Sequence, residues 1–68
     1  MSIVIRLDML MAKHKMKLND LAEMLDITQA NLSILKTGKA KAIRFSTLEK
    51  ICRILECQPG DLIEFIDD

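Results

Sequence analysis

Sixty-eight residues give room for one domain, and a chain of this size removes only about 60% of its unfolded surface from water on folding. Half the residues are hydrophobic, which excludes a disordered tail, yet no apolar run approaches the roughly 20 residues needed to span a bilayer. The formal net charge of zero argues against a uniformly basic surface, so the distribution of charge carries the information.

Ser2 to Ile5 is a short β-branched run, read as an edge strand or extended arm. The segment Met1 to Leu7 carries Arg6 and has no small-residue cleavage site, so it is not read as a signal peptide, and a cytoplasmic location is expected. From about Arg6 to His14, Leu7, Leu10 and Met11 stand at helical spacing, and the cations Lys13, His14, Lys15 and Lys17 suit the negative end of the helix dipole. Leu18, Leu21, Ala22 and Leu25 form the apolar stripe of a second helix, and Asp26 and Ile27 interrupt it. Thr28 is a good N-cap for a third helix running from about Gln29 to Thr37, with Leu32 and Leu35 facing the core and Gly38 as its left-handed stop.

Lys39 to Phe45 reads as a basic exposed loop, apart from Ile43 and Phe45, which are expected to be covered. Ser46 and Glu49 have the spacing of a capping box for a fourth helix, whose buried stripe is Leu48, Ile51, Cys52 and Leu55. Pro59 fits the first position of a last short helix, and Ile63 to Ile66 alternates like a second strand that could pair with Ile3 to Ile5 within the chain or across a dimer. Met9, Met11, Met16 and Met24 are read as core filler, and Cys52 and Cys57 as small buried hydrophobes. The expected architecture is all-α: one compact five-helix domain over residues 1–68, with short strands at its N- and C-terminal ends.

The informative stretch is Leu18 to Thr37. Two short helices joined by a three-residue turn can cross steeply only if the first is small at the crossing point, and Ala22 meets that need. The turn needs a residue tolerant of the left-handed region, a role Asp26 can fill. The order Leu21-Ala22, Ile27-Thr28, Leu32-Ser33, Leu35 and Gly38 resembles the helix-turn-helix of phage repressor and Cro-type regulators, the Xre family. The resemblance extends to the fourth helix and to Cys57-Gln58-Pro59-Gly60-Asp61. Leu18, Asp26 and Lys36 depart from the Gln, Gly and acid common at those places; they are read as changes of sequence preference.

The resemblance implies double-stranded DNA as the partner and transcriptional regulation, repression by default, as the role. A helix fits the major groove, where base edges show a distinct donor and acceptor code. On that reading Gln29, Ala30, Ser33 and Ile34 meet bases: Gln29 suits adenine, Ala30 and Ile34 offer apolar contact to a thymine methyl, and A·T-containing half-sites are preferred. Thr28, Asn31, Lys36, Lys39, Lys41 and Arg44 meet the backbone, fixing register without reading sequence. The charge pattern agrees, since no acid lies between Asp26 and Glu49, whereas Glu56, Asp61, Glu64, Asp67 and Asp68 close the chain without a base. A module this small is expected to work as a homodimer, with the apolar ends Ile3 to Ile5 and Leu62 to Ile66 as the contact.

The competing reading is a protein-interaction module, such as an antitoxin-like or adaptor protein, that keeps the fold and meets its partner through the acidic end. An enzyme is not expected: His14 is the only imidazole, read as an exposed helix-end residue, and no nucleophile–base pair, phosphate loop or metal-ligand cluster stands in the sequence. No cofactor, metal or small-molecule ligand is implied.

Overall fold

The computed structural model describes residues 2–67; Met1 and the acid Asp68 lie outside the described residues. In chain order the elements are β1 (Ser2–Ile5), α1 (Leu7–Lys13), α2 (Leu18–Leu25), α3 (Gln29–Lys36), α4 (Phe45–Ile54), α5 (Pro59–Leu62) and β2 (Ile63–Ile66). The five helices and two strands are those the apolar spacing predicts, with boundaries shifted by a residue or two, which is the usual uncertainty at helix ends.

One core joins every helix. Leu7, Leu10 and Met11 enter it from α1, Leu21, Ala22 and Leu25 from α2, Leu32 and Leu35 from α3, Ile51 from α4, Leu55 just beyond it and Leu62 from α5. Leu7, Leu21, Leu32, Ile51, Leu55 and Leu62 are fully covered, and burying each such side chain contributes about 1.5–3 kcal/mol. Among the described residues no polar or charged residue is buried, so cohesion is apolar packing over a hydrogen-bonded backbone.

Four helices end in the same way. The N–H of Met16 reaches the carbonyl of Met11, Ile27 that of Ala22, Lys39 that of Ile34 and Cys57 that of Cys52, at 2.9 to 3.1 Å. In each case the preceding residue is left-handed: Lys15, Asp26, Gly38 and Glu56, with φ of 54°, 57°, 78° and 50°. These are Schellman caps, which satisfy carbonyls that the helix end would otherwise orphan. Only one of the four uses glycine, so three non-glycine residues hold a strained backbone costing roughly 1–2 kcal/mol each. Lys15→Gly is expected to stabilise the fold by about 0.5–1 kcal/mol in urea unfolding, after the greater unfolded-state freedom of glycine is deducted. Asp26→Gly should gain less, because Asp tolerates this region better than Lys; equal or reversed effects would contradict that account.

The terminal strands pair antiparallel within the chain, Ser2 opposite Ile66, Ile3 opposite Phe65, Val4 opposite Glu64 and Ile5 opposite Ile63. The Arg6 N–H donates to the Leu62 carbonyl at 2.7 Å, and the Arg6 Nε donates to Glu64 Oε2 at 2.9 Å, closing the base of the ribbon. Ile5 and Ile63 pack on the core, while Ile3 and Phe65, farther out on the same face, are 61% and 55% exposed.

The structure corrects several expectations. Helix α4 begins at Phe45, with Arg44 as its N-cap: the Leu48 N–H bonds the Arg44 carbonyl at 2.9 Å, which places Ser46 inside the helix. The Ser46–Glu49 capping box is therefore absent, and Glu49 instead accepts from Arg53 Nη2 one turn later at 2.9 Å. Phe45 is 88% exposed because it stands at the very start of the helix, to one side of the stripe through Ile51 and Leu55. Leu48 and Cys52 flank that stripe and are half-buried. Met11 and Met16 join the core, but Met9 and Met24 are 55% and 54% exposed, on the outer faces of α1 and α2. His14 is half-buried at the α1 C-cap rather than fully exposed.

Candidate nucleic-acid interface

The turn between α2 and α3 is three residues long, and each has a distinct task. Asp26 turns the chain in the left-handed region, with its N–H on the Glu23 carbonyl at 3.1 Å. Ile27 returns to the interior as a partly buried apolar residue. Thr28, in extended conformation, accepts the Asn31 N–H on Oγ1 at 3.1 Å and so starts α3. Leu32 and Leu35 then fix the helix by its inner face, against α2 and α1. At the other end the Thr37 hydroxyl donates to the carbonyls of Ser33 and Ile34 at 3.0 and 3.2 Å, and Gly38 stops the helix.

This anchoring determines what α3 shows to solvent. Gln29, Ala30, Asn31 and Ile34 are exposed, whereas Ser33 and Lys36 are half-buried. A 100° step per residue sets Ala30, Ser33 and Ile34 opposite the Leu32–Leu35 core direction, with Gln29 beside Ser33 on one flank. Asn31 lies on the other flank, where it lines an open cleft of about 440 Å³. The far wall of the cleft is the α3–α4 loop from Ala40 to Arg44, closed by Thr47 of α4. Ile34 lines the same cleft, together with Lys41 and Arg44 of the loop, whereas Gln29, Ala30, Ser33 and Lys39 lie outside it.

Lys39, Lys41 and Arg44 are exposed on this loop. Among the described residues the ion pairs are Arg6–Glu64 and Arg53–Glu49, so none of these three cations is neutralised by a carboxylate. Lys36, half-buried on the flank of α3 away from the cleft, is set apart from them. Thr28, the remaining predicted backbone contact, is exposed at the helix start. Sequence reasoning missed Thr47, a half-buried residue of α4 that lines the cleft. No pattern of residue types in the sequence marks it.

Comparison with known proteins agrees with this geometry. A family model for the Cro/C1-type HTH DNA-binding domain matches residues 6–68. The chain belongs to that family. It is also 60% identical, over all of its 68 residues and 81% of the relative's length, to a Bacillus subtilis (strain 168) protein described as the uncharacterized HTH-type transcriptional regulator YozG. Among the described residues no helix is long and apolar enough to cross a membrane.

Proposed function

We propose that this Cro/C1-type domain regulates transcription from the cytoplasm by binding double-stranded DNA as a homodimer, with α3 in the major groove, and that it acts as a repressor. The observation that supports this reading is the cleft that Asn31 and Ile34 of α3 share with Lys41 and Arg44 of an acid-free loop, cations that among the described residues pair with no carboxylate. Gln29, Ala30, Ser33 and Ile34 face base edges, while Thr28, Asn31, Lys36, Lys39, Lys41 and Arg44 hold phosphates. A single module buries roughly 600–1,000 Å² on DNA, which is little for specific binding, so two copies on half-sites one helical turn apart are expected. Ile3 and Phe65 supply the apolar contact between copies: they remain exposed on a two-stranded sheet whose strands each keep a free edge.

Selection of DNA fragments by the purified protein, followed by titration of the best fragment across salt, tests the reading. A palindromic site with steeply salt-dependent affinity is expected; no enrichment at low salt with folded protein would sink it. On that site Gln29→Ala should lose about 1–3 kcal/mol of discrimination at one base pair of each half-site and leave the others as they were. Unchanged preference at every position would remove Gln29 from the base-reading set.

A further inference from the structure

The C-terminal cap of α4 brings two cysteines together. Cys52 and Cys57 occupy the two positions of the α4 Schellman cap that face each other: the Cys57 N–H bonds the Cys52 carbonyl at 3.0 Å, around the left-handed Glu56. In this motif a side-chain contact between those positions is frequent, and elsewhere in the chain the pairs are Met11 with Met16, Ala22 with Ile27 and Ile34 with Lys39. Here they are two cysteines, and both side chains open on the same groove. A backbone bond of this length keeps the Cα atoms within the roughly 7 Å beyond which a disulfide cannot close. Both cysteines are free and half-buried, and both line one open groove with Phe45, Leu48 and Pro59, so a small reagent can reach them.

We infer that Cys52 and Cys57 form an oxidisable dithiol site, which peroxides convert to an intramolecular disulfide that the folded chain holds without rearrangement. One sulfur, as its thiolate, attacks the peroxide; an S–O bond forms, the O–O bond breaks, and the departing oxygen is protonated to water. The second sulfur attacks the sulfenic sulfur, forming S–S and expelling the other oxygen as water. In sum the two thiols lose two electrons and two protons, and one hydrogen peroxide becomes two waters. Among the described residues no group of three His, Cys, Asp or Glu gathers there. Burial, the Cys52 thiol and Asp61 raise the Cys57 thiol above its ordinary value, against a smaller opposing pull from Lys13. The resting form of Cys57 at neutral pH is therefore the thiol. The site lies on the α4–α5 corner, away from the DNA cleft, and the inference stands independently of the DNA reading.

The test is treatment of the folded, full-length protein with hydrogen peroxide, read by intact mass and by tryptic digestion. Trypsin cuts after Arg53, between the two cysteines, so the disulfide appears as two joined peptides in a chain lighter by two hydrogen atoms. Cys52→Ser and Cys57→Ser should each abolish that product. Closing so short a loop should also raise the melting temperature of the oxidised form by about 5–10 °C, reversibly with a dithiol reductant. Oxygenated cysteines or chain-to-chain disulfides as the main product would overturn the inference, and so would an oxidised form that melts below the reduced one.

Discussion

Replacing Leu32 with alanine is expected to lower stability by about 3–5 kcal/mol, the largest effect of any single truncation within α3. Leu32 is 0% exposed and is the residue through which α3 is seated on the rest of the core. The cost is the lost transfer energy of its methyl and methylene groups plus that of the cavity, which backbone anchored at Thr28 and at Gly38 can close only in part. A domain of this length holds roughly 3–10 kcal/mol in total, so the loss approaches the whole reserve at the lower end. Thermal unfolding followed by circular dichroism should show a melting temperature lower by about 15 °C or more. The control is Ile34→Ala, two residues along the same helix and 46% exposed, which should cost under about 1 kcal/mol. If both variants melted alike, α3 would not be seated as described, and any DNA-binding defect of Ile34→Ala could not be credited to the surface it presents.

That contrast shows why the helix-turn-helix is the most legible part of this sequence. Leu21, Ala22, Leu25, Leu32 and Leu35 obey a local rule, apolar residues at helical spacing, and Thr28 and Gly38 mark helix ends by chemistry that needs no distant partner. The start of α4 is decided otherwise. Ser46 and Glu49 satisfy the capping-box pattern, but Arg44 caps the helix with its carbonyl, and the Glu49 carboxylate meets Arg53. Two local solutions compete there, and sequence spacing does not rank them. Phe45, Met9 and Met24 misled for a related reason: hydrophobicity says a residue can be buried, while the direction of its helix decides whether it is. The terminal strands were legible as strands, yet nothing in Ile3 to Ile5 or Ile63 to Ile66 distinguishes pairing within a chain from pairing between chains. Their closure on each other depends on where α1 and α5 set the two ends, with Arg6 bonded to Leu62. The cleft is likewise a product of assembly, since its lining comes from α3, the following loop and α4.

The second large effect concerns the loop itself. The triple variant Lys39→Ala, Lys41→Ala, Arg44→Ala is expected to reduce the slope of log affinity against log salt by about 2.7, because each phosphate contact on duplex DNA contributes about 0.9 through counterion release. Affinity should fall for the selected site and for unrelated DNA by similar factors, since contacts of this kind position the protein without reading bases. The fold should tolerate the change: all three side chains are exposed and none belongs to the ion pairs among the described residues. Arg44 caps α4 through its backbone, which alanine retains. Gln29→Ala should behave in the opposite way, keeping the salt slope and losing discrimination at one base pair. Measuring both variants on the same two DNAs separates the roles of helix and loop. A triple variant with an unchanged slope would make the loop an ordinary solvated face and remove it from the proposed DNA contact.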